Sequence, residues 1–175
     1  GEVSRDYAHV LTEAGMVYLE LSQFKSAESM FQKALEIEKQ IGGEKSDDYA
    51  SYLCQLANVY REINEYDKAE STYKKALEIQ ESKGYEALVT YYELSVLYQL
   101  ISNFSSAEEM CLKALARDEI LFGKNSNNCL GDLNLLANNY TLLGNYDKAL
   151  NIYLSIVEKG KEILGENSTD YAVYL

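Results

Sequence analysis

Apolar and small residues in the first part of the chain recur three and four residues apart, the spacing that places side chains on one face of an α-helix. The first stripe of this kind, here called helix A, consists of Leu11, Ala14, Gly15 and Tyr18. The pattern breaks at Ser22 and Gln23 and restarts at Phe24 as a second helix, helix B, which ends near Ile41. Because the break is so short, the two helices are predicted to form an antiparallel hairpin.

The same hairpin pattern returns along the whole chain. It is marked by tyrosines at spacings of 42, 38 and 42 residues, namely Tyr18, Tyr60, Tyr98 and Tyr140. Further helix pairs are predicted at 50–63 with 66–82, at 87–101 with 104–121, and at 130–143 with 146–164. The repetition predicts an all-α solenoid. One array over 1–175 would hold four full repeats, at about 8–48, 50–86, 88–128 and 130–170, and the start of a fifth.

The linkers between hairpins also repeat. A glycine followed three residues later by a serine stands at Gly43 and Ser46, and again at Gly165 and Ser168. The glycine is predicted to end helix B, and the serine to cap the next helix A. A serine close to an aspartate can also belong to a catalytic set, but no histidine accompanies it here and capping accounts for both. The linker around Gly84 is shorter and lacks the motif, which predicts a local change in the superhelix.

The linker motif stands at the very start of the chain as well, and the chain stops just inside the predicted fifth repeat. This predicts a fragment of a longer array. Terminal repeats normally present a polar outer face, and neither end shows one. End-to-end self-association through uncapped ends is therefore one predicted interaction.

Composition narrows the classes of partner. The formal net charge is −12, from 28 acidic and 16 basic residues, and the bases are scattered. Nucleic acid is not expected as a partner, because its phosphates require clustered Lys and Arg. The acidity predicts a solvated surface or, as the alternative, a basic ligand. There is no apolar run of the roughly 18 residues that a membrane span needs, and no signal peptide is visible.

Chemistry-bearing residues are few. The three cysteines, Cys54, Cys111 and Cys129, form no CxxC pair, so reduced thiols in a cytoplasmic protein are expected. His9 is the only histidine, and no phosphate loop, HExxH, GxSxG or calcium-loop motif occurs. The sequence therefore predicts no catalytic residue, no metal site, no cofactor and no enzymatic activity.

The repeated small, aromatic and alanine positions resemble the tetratricopeptide repeat. They are Ala14, Gly15, Tyr18, Ala27, Phe31 and Ala34 in the first repeat, returning as Leu56, Ala57, Tyr60, Ala69, Tyr73 and Ala76 in the second. The long period and long helix B are similar to the kinesin-light-chain type of this repeat. The resemblance covers essentially the whole chain and implies a right-handed superhelix of antiparallel helix pairs, with the A helices on its concave side.

On that resemblance, a ligand would lie in a groove formed by the helix-A residues opposite the helix A–helix B interface. Helical geometry selects the candidates Thr12, Met16, Cys54, Asn58, Arg61, Tyr92, Val96, Gln99, Asn134, Asn138 and Thr141. The first half of this face is polar and the second half largely apolar, and its asparagines can bond a peptide backbone. The apolar members, with Leu100 and Leu142, can instead pack against neighbouring helices. Family members that clamp a carboxylate use several bases here, whereas Arg61 is the only candidate base.

The function predicted is therefore a protein-interaction scaffold that binds a peptide or partner helix with apolar anchors. The alternative is a regulatory or sensor segment of a larger protein whose catalytic or DNA-binding domain lies elsewhere. The fold does not choose between them.

Overall fold

The computed structural model describes residues 4–83 and 87–164, and within these ranges the chain consists of helices joined by turns, without strands. Eight helices follow one another: α1 (Arg5–Glu20), α2 (Phe24–Ile41), α3 (Asp47–Glu62), α4 (Tyr66–Ser82), α5 (Leu88–Leu100), α6 (Phe104–Phe122), α7 (Asn127–Leu142) and α8 (Tyr146–Leu164). The odd-numbered helices are the predicted A helices and the even-numbered ones the B helices. The predicted all-α helical repeat is confirmed.

The chain forms two compact units, unit 1 at residues 1–90 and unit 2 at 91–175, with the boundary inside α5. In unit 1, α1 packs on α2, α2 on α3 and α3 on α4. In unit 2, α6 packs on α7 and α7 on α8. None of the described helices is both long and apolar enough to cross a lipid bilayer.

Serine caps begin three of the A helices, as predicted from the linkers. The Ser46 hydroxyl accepts a hydrogen bond from the Tyr49 backbone N–H at 3.0 Å, and Ser126 accepts one from Cys129 at 3.3 Å. Ser4 caps α1 in the same way. Each bond satisfies one of the backbone donors that a helix leaves unpaired at its start. The linkers around Gly84 and Gly165 and the start of a fifth repeat lie outside the described residues.

Between helix A and helix B the chain turns through one residue in the left-handed region. These residues are Ser22, Asn64, Ser102 and Gly144, with φ between 56° and 74°. They recur at the repeat spacing, so all four turns share one backbone path. Only glycine adopts that conformation without steric cost.

Small side chains let helix A approach helix B, as the sequence predicts. A Cβ added at Gly15 would stand 2.7 Å from Cε1 of Phe31, well inside van der Waals contact. At the corresponding positions of the other repeats, Ala57, Ser95 and Ala137 are fully buried. Phe31 is itself fully buried, so the ring fills the space that the absent side chain leaves.

Candidate functional site

Two of the predicted groove residues in unit 1 are not on the surface. Thr12 is 8% exposed and Cys54 is 6% exposed. The Thr12 hydroxyl donates to the Ala8 carbonyl at 3.0 Å, within its own helix, and the Cys54 sulfur lies 3.1 Å from the Thr90 hydroxyl. Both polar groups are satisfied internally and can therefore be buried. Their predicted surface position is wrong.

The remaining polar candidates of unit 1 are engaged with neighbouring side chains. The Asn58 amide donates to Gln55 at 3.4 Å and accepts from the Tyr73 hydroxyl. Arg61 pairs with Glu62 at 3.4 Å, and its side chain is largely buried. Met16 is half-buried. The polar candidates of unit 1 are therefore engaged within the protein.

In unit 2, three predicted residues line one open cleft of about 600 Å³. We call it the α7 cleft. Its walls come from α5, α6, α7 and α8, and its lining residues are Tyr92, Asp118, Asn128, Gly131, Asp132, Asn134, Leu135, Asn138 and Tyr153. Asn134 and Asn138 are exposed, and the Tyr92 ring is 49% exposed. The structure thus brings Tyr92, Asn134 and Asn138 together on one surface.

The other candidates of unit 2 lie outside the cleft lining. Val96 packs against the core cluster that includes Cys111 and Leu135, as the packing alternative predicted. Gln99 donates to the Leu135 carbonyl at 3.4 Å, and the exposed Thr141 donates to the carbonyl of Ala137 at 3.0 Å.

The apolar residues Leu100 and Leu142, for which the sequence allows either ligand contact or packing on neighbouring helices, are both more than half exposed. Apolar anchoring points are therefore available on the A helices of unit 2.

Sequence reasoning missed a pair of carboxyl groups in the α7 cleft. Asp118 of α6 is only 5% exposed and contacts Asp132 of α7, and Asn128 hydrogen-bonds to it. Burial, and then repulsion from Asp118, raises the pKa of Asp132 to about 7, and burial raises the pKa of Asp118 as well. Asp118 Oδ1 and Asp132 Oδ2 find no hydrogen-bond partner among the described residues. An acidic residue at an inward-facing helix-B position was the available signal.

No catalytic constellation emerges from the described residues. All three cysteines are buried, and burial raises the pKa of the Cys111 thiol to about 11, which disfavours the nucleophilic thiolate. His9 Nδ1 lies 3.2 Å from the hydroxyl of Tyr52. Within 4–83 and 87–164, no three His, Cys, Asp or Glu side chains gather closely enough to hold a metal ion.

The sequence and the fold were compared with those of known proteins. Residues 6–82 and 86–162 match the family model described as Tetratricopeptide repeat. BtubC (BKLC) from P. vanneervenii superimposes with a TM-score of 0.82 at 22% identity, over 95% of this chain and 68% of that chain. A Podosopora anserina protein described as a kinesin light chain, with nearly identical TPR-like repeats, gives a TM-score of 0.83 at 16% identity, over 98% of this chain and 83% of that chain.

MamA gives a TM-score of 0.66 at 16% identity, over 89% of this chain and 79% of its own. At such identities these likenesses show the fold alone. No curated protein matched the sequence.

Proposed function

The chain belongs to the tetratricopeptide repeat family, as its repeated positions predicted, and on that premise we propose that it is a non-catalytic scaffold that binds a peptide or partner helix. Repeats of this family are generally protein-interaction modules. The binding surface we propose is the helix-A face of unit 2, centred on the α7 cleft.

The observation that carries the proposal is the exposed set of Tyr92, Asn134 and Asn138 around that cleft. An asparagine amide carries two donors and an acceptor, the groups that an extended peptide backbone needs, and Asn138 gives one of its donors to Gln99 at 3.5 Å. A half-exposed tyrosine supplies apolar area with little conformational entropy to lose, as in many protein interfaces. The cleft therefore combines backbone recognition with an aromatic anchor.

Apolar anchoring extends the same surface. Leu100 at the end of α5 and Leu142 at the end of α7 expose more than half of their side chains. A ligand that covers either leucine removes apolar area from water, at about 25 cal/mol for each Å² buried. Peptides with apolar side chains beside a backbone segment that reaches the cleft are the expected ligands.

The test is selection of ligands from a random peptide display library on the immobilised chain, followed by titration of the selected peptides into isotope-labelled protein. We expect NMR shifts to cluster on the amides of Tyr92, Asn134 and Asn138. The double variant Tyr92→Glu, Asn138→Arg should lose binding at least tenfold, as expected when an aromatic anchor and a backbone-bonding amide are both removed.

A matched control places the same two changes on an exposed helix-B surface. Leu150 and Asn151 of α8 are both exposed, so Leu150→Glu with Asn151→Arg introduces the same two charges outside the cleft. This variant should bind like the parent. Selected peptides that bind all three proteins equally would refute the α7 cleft as the binding surface, and circular dichroism confirms that each variant stays helical.

A further inference from the structure

One inward-facing position of helix B is polar in three repeats and meets the next helix A. It is occupied by Glu38, Gln80 and Asp118, which stand at the same distance from the first aromatic residue of their helices. The next helix A offers Tyr52, Thr90 and Asp132 at one shared register position. Each of these three repeats thus places a polar junction at the same position.

In unit 1 both junctions are balanced in charge within the protein, although Glu38 Oε1 and Oε2 find no hydrogen-bond partner among the described residues. Arg5 Nη2 lies 3.6 Å from Glu38 Oε1, so a cation faces that buried carboxylate. At the second junction the Thr90 hydroxyl donates to Gln80 at 2.7 Å, a neutral hydrogen bond. Neither junction leaves a net charge without a partner.

The junction of unit 2 differs because both of its members are acids. Asp118 and Asp132 are in contact, and each has one carboxyl oxygen without a hydrogen bond among the described residues. Among the described residues, no lysine or arginine lines the α7 cleft into which the pair opens. The other titratable groups that line the cleft are the phenols of Tyr92 and Tyr153, from α5 and α8, and the buried thiol of Cys111 from α6 interacts with Asp132. None of these supplies a positive charge.

We propose that this acidic pair binds the basic side chain of a peptide ligand, with arginine as the best fit. The inference rests on the proposed function and adds the chemistry of the ligand. A guanidinium carries donors in a planar fork that pairs with carboxylate oxygens and stacks on aromatic rings, and the exposed Tyr92 ring stands in the same cleft. The bound cation takes the place that Arg5 holds at the corresponding junction of unit 1.

Two further observations favour a basic ligand. The chain carries a formal net charge of −12, which attracts cationic partners and speeds their association. A second open cleft of similar size, at the helix turns of unit 1, is lined by Lys25 as well as by Glu28 and Glu65. Its charges are of both signs, whereas those of the α7 cleft are acidic only.

The experiment compares three short peptides by NMR titration of the full chain. The first has an arginine between two leucines, the second has citrulline in its place, and the third has glutamate. Citrulline keeps the shape of arginine without its charge. We expect the arginine peptide to bind about tenfold more tightly than the citrulline peptide, the ratio that one partly buried charge pair typically supports. The shifts should centre on Asn128 and Asn134.

Variants then locate the preference. Asp118→Asn with Asp132→Asn should abolish the ratio between arginine and citrulline peptides. Asp147→Asn with Glu158→Gln removes the same charge from exposed positions of α8 and should retain it. Lowering the pH from about 8 to about 5 should weaken the arginine peptide alone, because the pair then takes up a proton.

Equal affinity for the arginine and citrulline peptides would overturn the inference, and so would the absence of binding by all three peptides. Either result would leave the proposed scaffold function untouched. Saturation of the same amides by calcium chloride alone, in place of the arginine peptide, would overturn it in favour of a metal site. Failure of the scaffold proposal is a separate result, namely library-selected peptides that ignore the Tyr92, Asn138 variant.

Discussion

In unit 1 the half-buried amide of Asn58 is bound by Tyr73 and Gln55, whereas in unit 2 the equivalent Asn138 is exposed on the wall of the α7 cleft and donates to Gln99 at 3.5 Å. The helix-B tyrosines differ in the same way. Tyr73 is fully buried, while its counterpart Tyr153 is half-buried and lines the cleft. The same repeat pattern therefore produces two different helix-A surfaces, one in each unit. The repeated positions specify the helical fold. The side chains packed around each helix A determine which of its polar groups are accessible to a ligand.

The two units also differ in the charge of the buried junctions between their repeats. Unit 1 places Arg5 beside Glu38, but unit 2 places Asp132 beside Asp118. Burying like charges in contact is unfavourable unless a proton or a cation compensates them. Unit 1 is thus neutralised from within, and unit 2 depends on protons or on a ligand.

The largest expected effect concerns how closely the helices approach. Gly15→Ala should lower the free energy of unfolding by about 2 kcal/mol, because the new methyl group overlaps the buried Phe31 ring. In unit 2, Gly131 is also helical, but a Cβ there would have no neighbour within 4 Å. Gly131→Ala should therefore stabilise the chain by up to about 1 kcal/mol through helix propensity. Urea unfolding followed by circular dichroism measures both, and effects of the same sign would contradict the packing argument.

The second prediction tests the acidic junction of unit 2. The pKa of Asp132 rises from its ordinary 3.8 to about 7 on folding, so between these values the folded chain binds more protons than the unfolded chain. Stability should therefore fall as the pH rises through this window, and the penalty is fully present above it. Asp132→Asn should stabilise the protein by roughly 1–2 kcal/mol at about pH 8, after allowance for solvent screening, and have little effect near pH 4.

Thermal melts at several pH values check this prediction. The variant should show a flatter dependence of Tm on pH than the parent between about pH 4 and pH 7. Asp147→Asn is the control, because it removes one exposed charge from the same unit and should leave the slope unchanged. Parallel curves for Asp132→Asn and the parent would show that the junction does not titrate in this range.

The third prediction turns the unit 1 junction into an acidic junction without a cation. Arg5→Met removes the base that lies 3.6 Å from Glu38 while keeping much of the apolar stem. We expect a loss of about 1 kcal/mol at neutral pH, which is modest because the Arg5 side chain is 55% exposed. Denaturant unfolding measures the loss. An additional Glu38→Gln change should recover part of it, and no recovery would mean that Arg5 acts through other contacts such as Asp48.

The fold could be predicted from the sequence because the same pattern of small, aromatic and alanine positions recurs in each repeat. Spacing located the eight helices of the described residues, and the linker motif identified Ser46 as a helix cap. Helix starts were less certain. The structure begins α3 at Asp47 and α7 at Asn127, before the predicted 50 and 130. A polar first turn carries no apolar stripe, so periodicity detects the helix only after it has begun.

The candidate site could be predicted only in part. Angular position on a helix placed Tyr92, Asn134 and Asn138 on one face, and the structure brings them to one cleft. The same rule put Cys54 on the surface, because it cannot say which neighbouring side chain covers that face. Asp118 was missed for a different reason. The groove was sought on the A helices alone, whereas the cleft also takes a wall from helix B.

The smallest expected effect lies in the turns between helix A and helix B, where unit 1 uses Ser22 and Asn64 and unit 2 uses Ser102 and Gly144. All four share the left-handed conformation, which a Cβ disfavours. Ser22→Gly should stabilise the chain by about 0.5 kcal/mol, because relief of strain exceeds the added entropy of the unfolded state. Gly144→Ser should destabilise it by a similar amount, since a Cβ there meets no neighbour and only the backbone cost remains. Chemical unfolding of both variants measures the two free-energy changes. An unchanged free energy of unfolding for Gly144→Ser would contradict the prediction and show that the turn of the fourth repeat relaxes to accept a side chain.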